Sequence, residues 1–188
     1  MSIPKLLVIA SPSGGGKTSI IKALLQRHPE FQFSVSATTR AMRPGETSAK
    51  DYFFLTKERF EELIAAGDLV EHEQLYGNYY GTLKSETDRA LDAGQSMFFD
   101  IDVRGALSIK RMYGAQAVLI FIAPPGLDVL EARLRGRGTE DAATVARRME
   151  RAAMEMELGK QFDHIVVNED LAKAVDDVDG IIMNHLSQ

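Results

Sequence analysis

The run Ser11-Pro12-Ser13-Gly14-Gly15-Gly16-Lys17-Thr18 holds the residue types that bind phosphate chains. Consecutive glycines let backbone N–H groups converge on phosphate oxygens, and the helix that must follow adds the positive end of its dipole. Lys17 supplies a point charge to β- and γ-phosphates, and Thr18 a hydroxyl to Mg²⁺. Ser13, Gly14, Gly15, Gly16, Lys17 and Thr18 are therefore expected to cradle a nucleoside triphosphate. The general pattern is G-x-x-x-x-G-K-[ST], and Ser11 stands where its first glycine belongs. Pro12 pushes the residue before it toward extended backbone, which needs no glycine, so the loop is expected to work. The alternative is an ordinary strand-to-helix turn. Such a loop serves ATPases, GTPases and small-molecule kinases alike, so it does not name the reaction.

A second set of groups lies downstream. Arg40, Arg43 and Tyr52, with Tyr80 in "YGNYYGT", offer two guanidiniums and two phenols to a further phosphate. Taken singly, each reads equally as a solvated arginine or a packing tyrosine. Glu71 lies between apolar Val70 and an aromatic cluster. A carboxylate there can accept from guanine N1–H and the 2-amino group, whereas adenine presents an acceptor at N1. The alternative is an exposed charge on a strand edge. Ser36 and Thr82 carry hydroxyls that can donate to guanine O6.

"MFFDID" places Asp100 and Asp102 at the end of an apolar run, two apart and so on one face if the strand continues. Asp100 is the expected partner of Thr18 for Mg²⁺, partly through water, with Asp102 turned toward the base. Both also suit the cap of the helix that follows. "EARLRGRGTEDAATVARRMERAAMEM" carries the arginines expected to neutralise charge during phosphoryl transfer. Val145, Met149, Ala152 and Met156 recur at helical spacing and form its packed stripe. Arg148 lies beside that stripe, while Arg135, Arg147 and Arg151 read as a solvated face with i,i+4 ion pairs.

These groups need strand ends and helix starts to hold them. "LLVIA" at 6–10 is a strand buried on both faces, followed by a helix from about Lys17 to His28. Residues 31–38 read as one strand. From about residue 83, helices alternate with the strands "SMFFDID", "AVLIFIA" and "HIVVN", which predicts a parallel sheet with right-handed crossovers. Residues 36–82 interrupt that alternation and form the candidate insertion. The division expected is therefore a core of 1–35 and 83–188, with a lid at about 126–157, and the insertion. The chain has 188 residues, 45% of them apolar, enough for one core with a small insertion. A net charge of -5 argues against general nucleic-acid binding, and the absence of cysteine excludes disulfides and thiolate metal sites. No apolar run is long enough for a membrane span, and the N-terminal one leads straight into the glycine loop.

Taken together, "SPSGGGKTS", "SVSATTRAMRPGE…KDYFF", "LVEHEQLYGNYYGT", "FFDIDVRGA", "RLRGRGTE" and "FDHIVVNED" resemble the guanylate kinase family, in family order from about Leu6 to Ile182. The resemblance implies a P-loop NTPase-like α/β fold: a parallel sheet flanked by helices, an inserted mixed α/β subdomain for GMP and a mobile helical lid. It implies Mg²⁺-dependent phosphoryl transfer from ATP to GMP or dGMP in the cytoplasm. By motif, Ser36, Glu71, Thr82 and Asp102 would contact guanine, and Arg40, Arg43, Tyr52 and Tyr80 the GMP phosphate. Arg137 and Arg148 would reach phosphates from the lid, with Arg133 and Asn168 near the adenine. Lys17, Asp100, Arg137 and Arg148 would carry the catalysis. The family also has non-catalytic relatives that bind phosphorylated peptides and typically lack an intact loop; they are the alternative.

Overall fold

The computed structural model describes residues 4–75, 77–135 and 142–187. Strand β1 (Leu6–Ala10) is wholly buried and is the middle of a five-stranded parallel sheet. Its neighbours are β7 (Met97–Asp100) and β8 (Ala117–Ala123), with β2 (Gln32–Phe33) and β9 (His164–Val167) at the edges. Alternate residues of β1 feed two cores, as strand geometry requires. Leu6, Val8 and Ala10 pack with Phe99, Leu119 and Phe121 against α4 (Val103–Tyr113). Leu7 and Ile9 pack with Phe98 and Ile120 against α1 (Lys17–Arg27) and α7 (Leu171–Leu186). The apolar runs of β1 and β8 thus exist because helices cover both faces of the sheet.

Residues 31–38 do not form one strand. Gln32 N–H and Ser34 N–H donate to Ser96 and Phe98 carbonyls beside β7, while β3 (Ala37–Thr38) pairs in a different sheet. That second sheet has four strands in the order β4 (Phe53–Phe54), β3, β6 (Asn78–Leu83), β5 (Leu69–Leu75). The hairpin β5–β6 is antiparallel and pairs Glu71 with Thr82 and Glu73 with Tyr80. Helix α2 (Lys57–Ala66), capped by the Thr56 hydroxyl, covers it with Phe60 and Leu63. The remaining helices are α3 (Lys84–Asp92), α5 (Leu127–Arg135) and α6 (Ala142–Gly159). On α6, Val145 and Ala152 are buried, and Met149 and Met156 pack against neighbouring apolar clusters, so the stripe read from the sequence is the packed face.

Because the main sheet is parallel, the carboxyl ends of β1, β7 and β9 open on one edge. The glycine loop, Asp100 and Asn168 are brought together there, although up to 157 positions separate them in the chain. Among the described residues, no helix is long and apolar enough to cross a membrane.

Candidate functional site

The loop after β1 borders a cleft of about 660 Å³ lined by Ser13, Gly14, Gly16, Lys17 and Thr18, with Asp102, Arg148 and Arg151 opposite. Helix α1 begins at Lys17, and Gly16 precedes it at φ 92°, a backbone setting that favours glycine. Gly15 is different. It is buried, its N–H donates to the Pro12 carbonyl at 2.9 Å, and its carbonyl accepts from Asn168 Nδ2 at 2.8 Å. It therefore braces the loop and does not line the cleft. A Cβ on Gly15 would lie 2.9 Å from Ser11 Cβ, so the serine in place of the pattern's first glycine is accommodated by a glycine opposite it. Ser11 is also not among the positive-φ residues, as expected for a residue before proline.

Asn168 is buried beneath the loop, and a side chain on Gly16 would run into its amide. Asn168, expected near an adenine edge, donates its amide to the carbonyl of Gly15 and so also braces the loop backbone. Lys17 Nζ lies 2.6 Å from Asp100 Oδ1 and donates to the Ile101 carbonyl at 2.7 Å. Asp100 ends β7. The strand stops there, so Asp102 does not share its face: it is the N-cap of α4 and accepts from Gly105 N–H at 2.7 Å. The cap alternative therefore describes Asp102, while Asp100 faces the loop lysine.

The second sheet presents its polar groups to the same region. Arg40 is held by Glu46 through two contacts, at 2.7 and 3.0 Å, and its guanidinium lies over the rings of Tyr52 and Phe54 at 5.4 and 5.7 Å. Glu46 also accepts Arg43 N–H at 2.7 Å, which ties both arginine positions to one carboxylate, while the Arg43 residue itself is exposed. Tyr52 and Tyr80 meet edge to face at 6.2 Å. Glu71 is pressed onto α4: a Cβ on Gly105 would lie 3.1 Å from Glu71 Cγ. A side chain there would crowd Glu71 and require it to shift by a few tenths of an ångström. Thr82, itself buried, donates to Glu71 Oε1 at 2.7 Å, so its hydroxyl proton lies on the carboxylate in this structure. Ser36 lies just before β3, half-buried, with its carbonyl accepting from Phe53 N–H at 2.9 Å.

A family model described as guanylate kinase matches residues 3–185. The chain belongs to the guanylate kinase family. It is 48% identical over 182 residues to a guanylate kinase of Chlorobium chlorochromatii, covering 97% of this chain and 96% of that one. It is 49% identical over 174 residues to one of Salinibacter ruber, covering 92% of each. The crystal structure of guanylate kinase from Anaplasma phagocytophilum superposes with a TM-score of 0.77 at 32% identity, covering 100% of this chain and 89% of the other. The fold is accordingly the P-loop NTPase-like α/β fold.

Within this guanylate kinase fold, Lys17, Asp100, Asp102, Glu71 and Arg148 are gathered around one region. Arg148 Nη1 stands 3.5 Å from Ser13 Oγ, which brings α6 over the loop. Arg137 lies outside the described residues, as does the side chain of Arg133. Arg135 pairs with Glu131 at 2.6 Å on an exposed face, but Arg147 and Arg151 both line the cleft. Arg151 is exposed and makes the expected i,i+4 pair with Glu155, but it also reaches Asp102. Helical period alone could not reveal this, because Asp102 is 49 positions away. Gly105 and Glu46 also escaped the sequence reading; the only signals were a glycine in the first turn of a helix and a carboxylate three residues after Arg43.

Glu71 has a measurable consequence. Burial pushes its carboxyl from 4.5 up to about 7, the Thr82 hydroxyl opposes this, and Asp102 and Glu73 add to it. Between those two values the folded state holds a proton that the unfolded chain releases. The stability this contributes is full below about pH 4.5 and is lost as pH rises through about 7. Glu71→Gln is neutral throughout. The melting temperature of wild type should therefore fall relative to the variant between about pH 5 and 7.5 and level off above, in paired thermal melts. A constant difference across that range would contradict the assignment.

Proposed function

We propose that this protein transfers the γ-phosphoryl group of ATP to GMP or dGMP, giving ADP and GDP or dGDP. The observation that carries the reading is the position of Asp102. It lines both the cleft at the glycine loop and a second cavity, of about 440 Å³, lined by Glu71. A triphosphate in the first and a guanine in the second would share one boundary, which suits direct transfer between two bound nucleotides.

In this reading the loop amides of Ser13, Gly14 and Gly16 and the start of α1 hold the ATP phosphates. Lys17 leaves Asp100 for the β- and γ-phosphates, and Arg148 and Arg137 approach the transferring group, where charge develops. Arg133 is assigned to the adenosine by its motif alone. Arg40, Arg43, Tyr52 and Tyr80 hold the acceptor phosphate, Glu71 and Asp102 read the guanine, and Ser36 faces its O6. The acceptor phosphate is already anionic, so no general base is required, and transfer depends on positioning and charge.

Thr18 and Asp100 fit Mg²⁺ as hard oxygen donors at the loop. Among the described residues, no group of three or more acidic or imidazole side chains could hold a metal unaided, so the ion would be shared with the phosphates. When bound, it neutralises negative charge on the phosphate oxygens. A phosphopeptide-binding module is not favoured, because the loop and the Lys17–Asp100 pair are intact. The lack of cysteine suits a reducing cytoplasm.

A coupled ADP-release assay with MgATP and GMP, dGMP, AMP, CMP or UMP tests the reading. Turnover is expected with GMP and dGMP alone. Equal use of AMP or UMP would overturn it.

A further inference from the structure

We infer that Arg151 is a positioning residue for base selection: it holds the free oxygen of Asp102 and so ties α6 to the acceptor pocket. The guanidinium is pinned at one edge, where Nε donates to Glu155 Oε1 at 2.8 Å. Among the described residues Glu155 is the one buried charged residue, with a side chain only 7% exposed, so this edge is fixed. The other edge reaches Asp102 Oδ2 at 3.3 Å. Asp102 Oδ1 already accepts from Gly105 N–H, so the carboxylate is held from two sides, by α4 through one oxygen and by α6 through the other.

The surroundings explain why such a hold matters. Glu73 on β5 lies against Asp102; burial and Asp102 push its carboxyl up, and Arg151 opposes that. Glu71 adds a third carboxyl beside the first turn of α4. Without a cation, a carboxyl in such a group takes up a proton or turns away. Arg104 borders the same cavities, but its Nη2 is on Met154 Sδ at 3.3 Å. Asp102, Arg151 and Glu155 together line both the loop cleft and a smaller cavity of about 170 Å³ that Glu73 also lines. The guanidinium therefore borders the loop cleft and meets the 440 Å³ cavity only through Asp102, which lines both.

This role rests on the reading of Asp102 as the acceptor for the guanine 2-amino group. A base amino group and Arg151 can share Oδ2, which has two lone pairs. The test compares GMP with inosine 5′-monophosphate, which lacks that amino group. Arg151→Ala should raise KM for GMP roughly three- to tenfold, leave KM for the inosine nucleotide within about twofold, and change kcat less than KM. Arg151→Lys should restore part of the difference, and circular dichroism should show both variants folded. Equal KM changes for the two nucleotides, no change for GMP, or a loss confined to kcat would each overturn the role. Wild-type protein that phosphorylates neither nucleotide would overturn the kinase reading, and this role with it. Failure of the Arg151 variants alone leaves the kinase standing.

Discussion

Lys17→Ala should lower turnover with MgATP and GMP by at least about 10²–10³-fold, the scale on which one charge-stabilising donor acts in phosphoryl transfer. Two effects combine. The variant removes the cation expected at the β- and γ-phosphates. It also leaves Asp100, now 2.6 Å from Lys17 Nζ, as an unpaired negative charge at the mouth of the loop. ATP affinity should therefore fall as well, which calorimetry would read directly. In magnesium-free calorimetry, adding Asp100→Asn to Lys17→Ala removes that repulsion and should recover part of the ATP affinity, while turnover with MgATP stays low. Such non-additivity is expected of residues in direct contact. Turnover of the single variant within about tenfold of wild type would remove Lys17 from its assigned role.

Glu71→Gln should collapse the preference for GMP. The Thr82 hydroxyl donates to Glu71 Oε1, so in the variant it favours the amide oxygen in that place. The amide NH₂ is then left toward the base. Guanine presents donors at N1 and its 2-amino group, so donor would face donor, whereas adenine N1 is an acceptor. kcat/KM for GMP is expected to fall by about 10²–10³-fold, while AMP use stays level or rises, because an unmatched polar group in a buried site costs its full desolvation. Parallel kinetics with the two nucleotides measure it. Unchanged discrimination would show that the base is read elsewhere.

The chemistry that depends on short spacing was legible in the sequence. The glycine loop, the apolar β1 before it and the stripe on α6 all follow from neighbours within a few positions. Three features needed the folded chain. Residues 31–38 alternate well enough for one strand, but alternation does not reveal that Phe33 and Ala37 pair in different sheets. Asp100 and Asp102 look like one strand face until β7 stops and the second carboxylate becomes a helix cap. Asn168 and Arg151 carry chemistry whose partners, the Gly15 carbonyl and Asp102, are 153 and 49 positions away. Local pattern sets the face of a helix or the end of a strand, but not what stands opposite.

The division of residues 31–38 between two sheets has a mechanical consequence. The chain passes from β2 to β3 through only Ser34, Val35 and Ser36, and it returns from β6 at Leu83 directly into α3 at Lys84. Two tethers this short give the second sheet little freedom to translate, so rotation about a line through them is the movement left to it. Ser36 and Thr82 adjoin those tethers, and Glu71 is the strand partner of Thr82. Tyr80 lies further along β6, by about 3.3 Å for each extended residue, and Arg40 lies beyond the end of β3. The groups proposed to read the base thus sit near the pivot, and those proposed to grip the phosphate ride on the lever arm. A turn of the sheet would carry the phosphate clamp toward or away from the glycine loop while the base stays almost where it was first recognised.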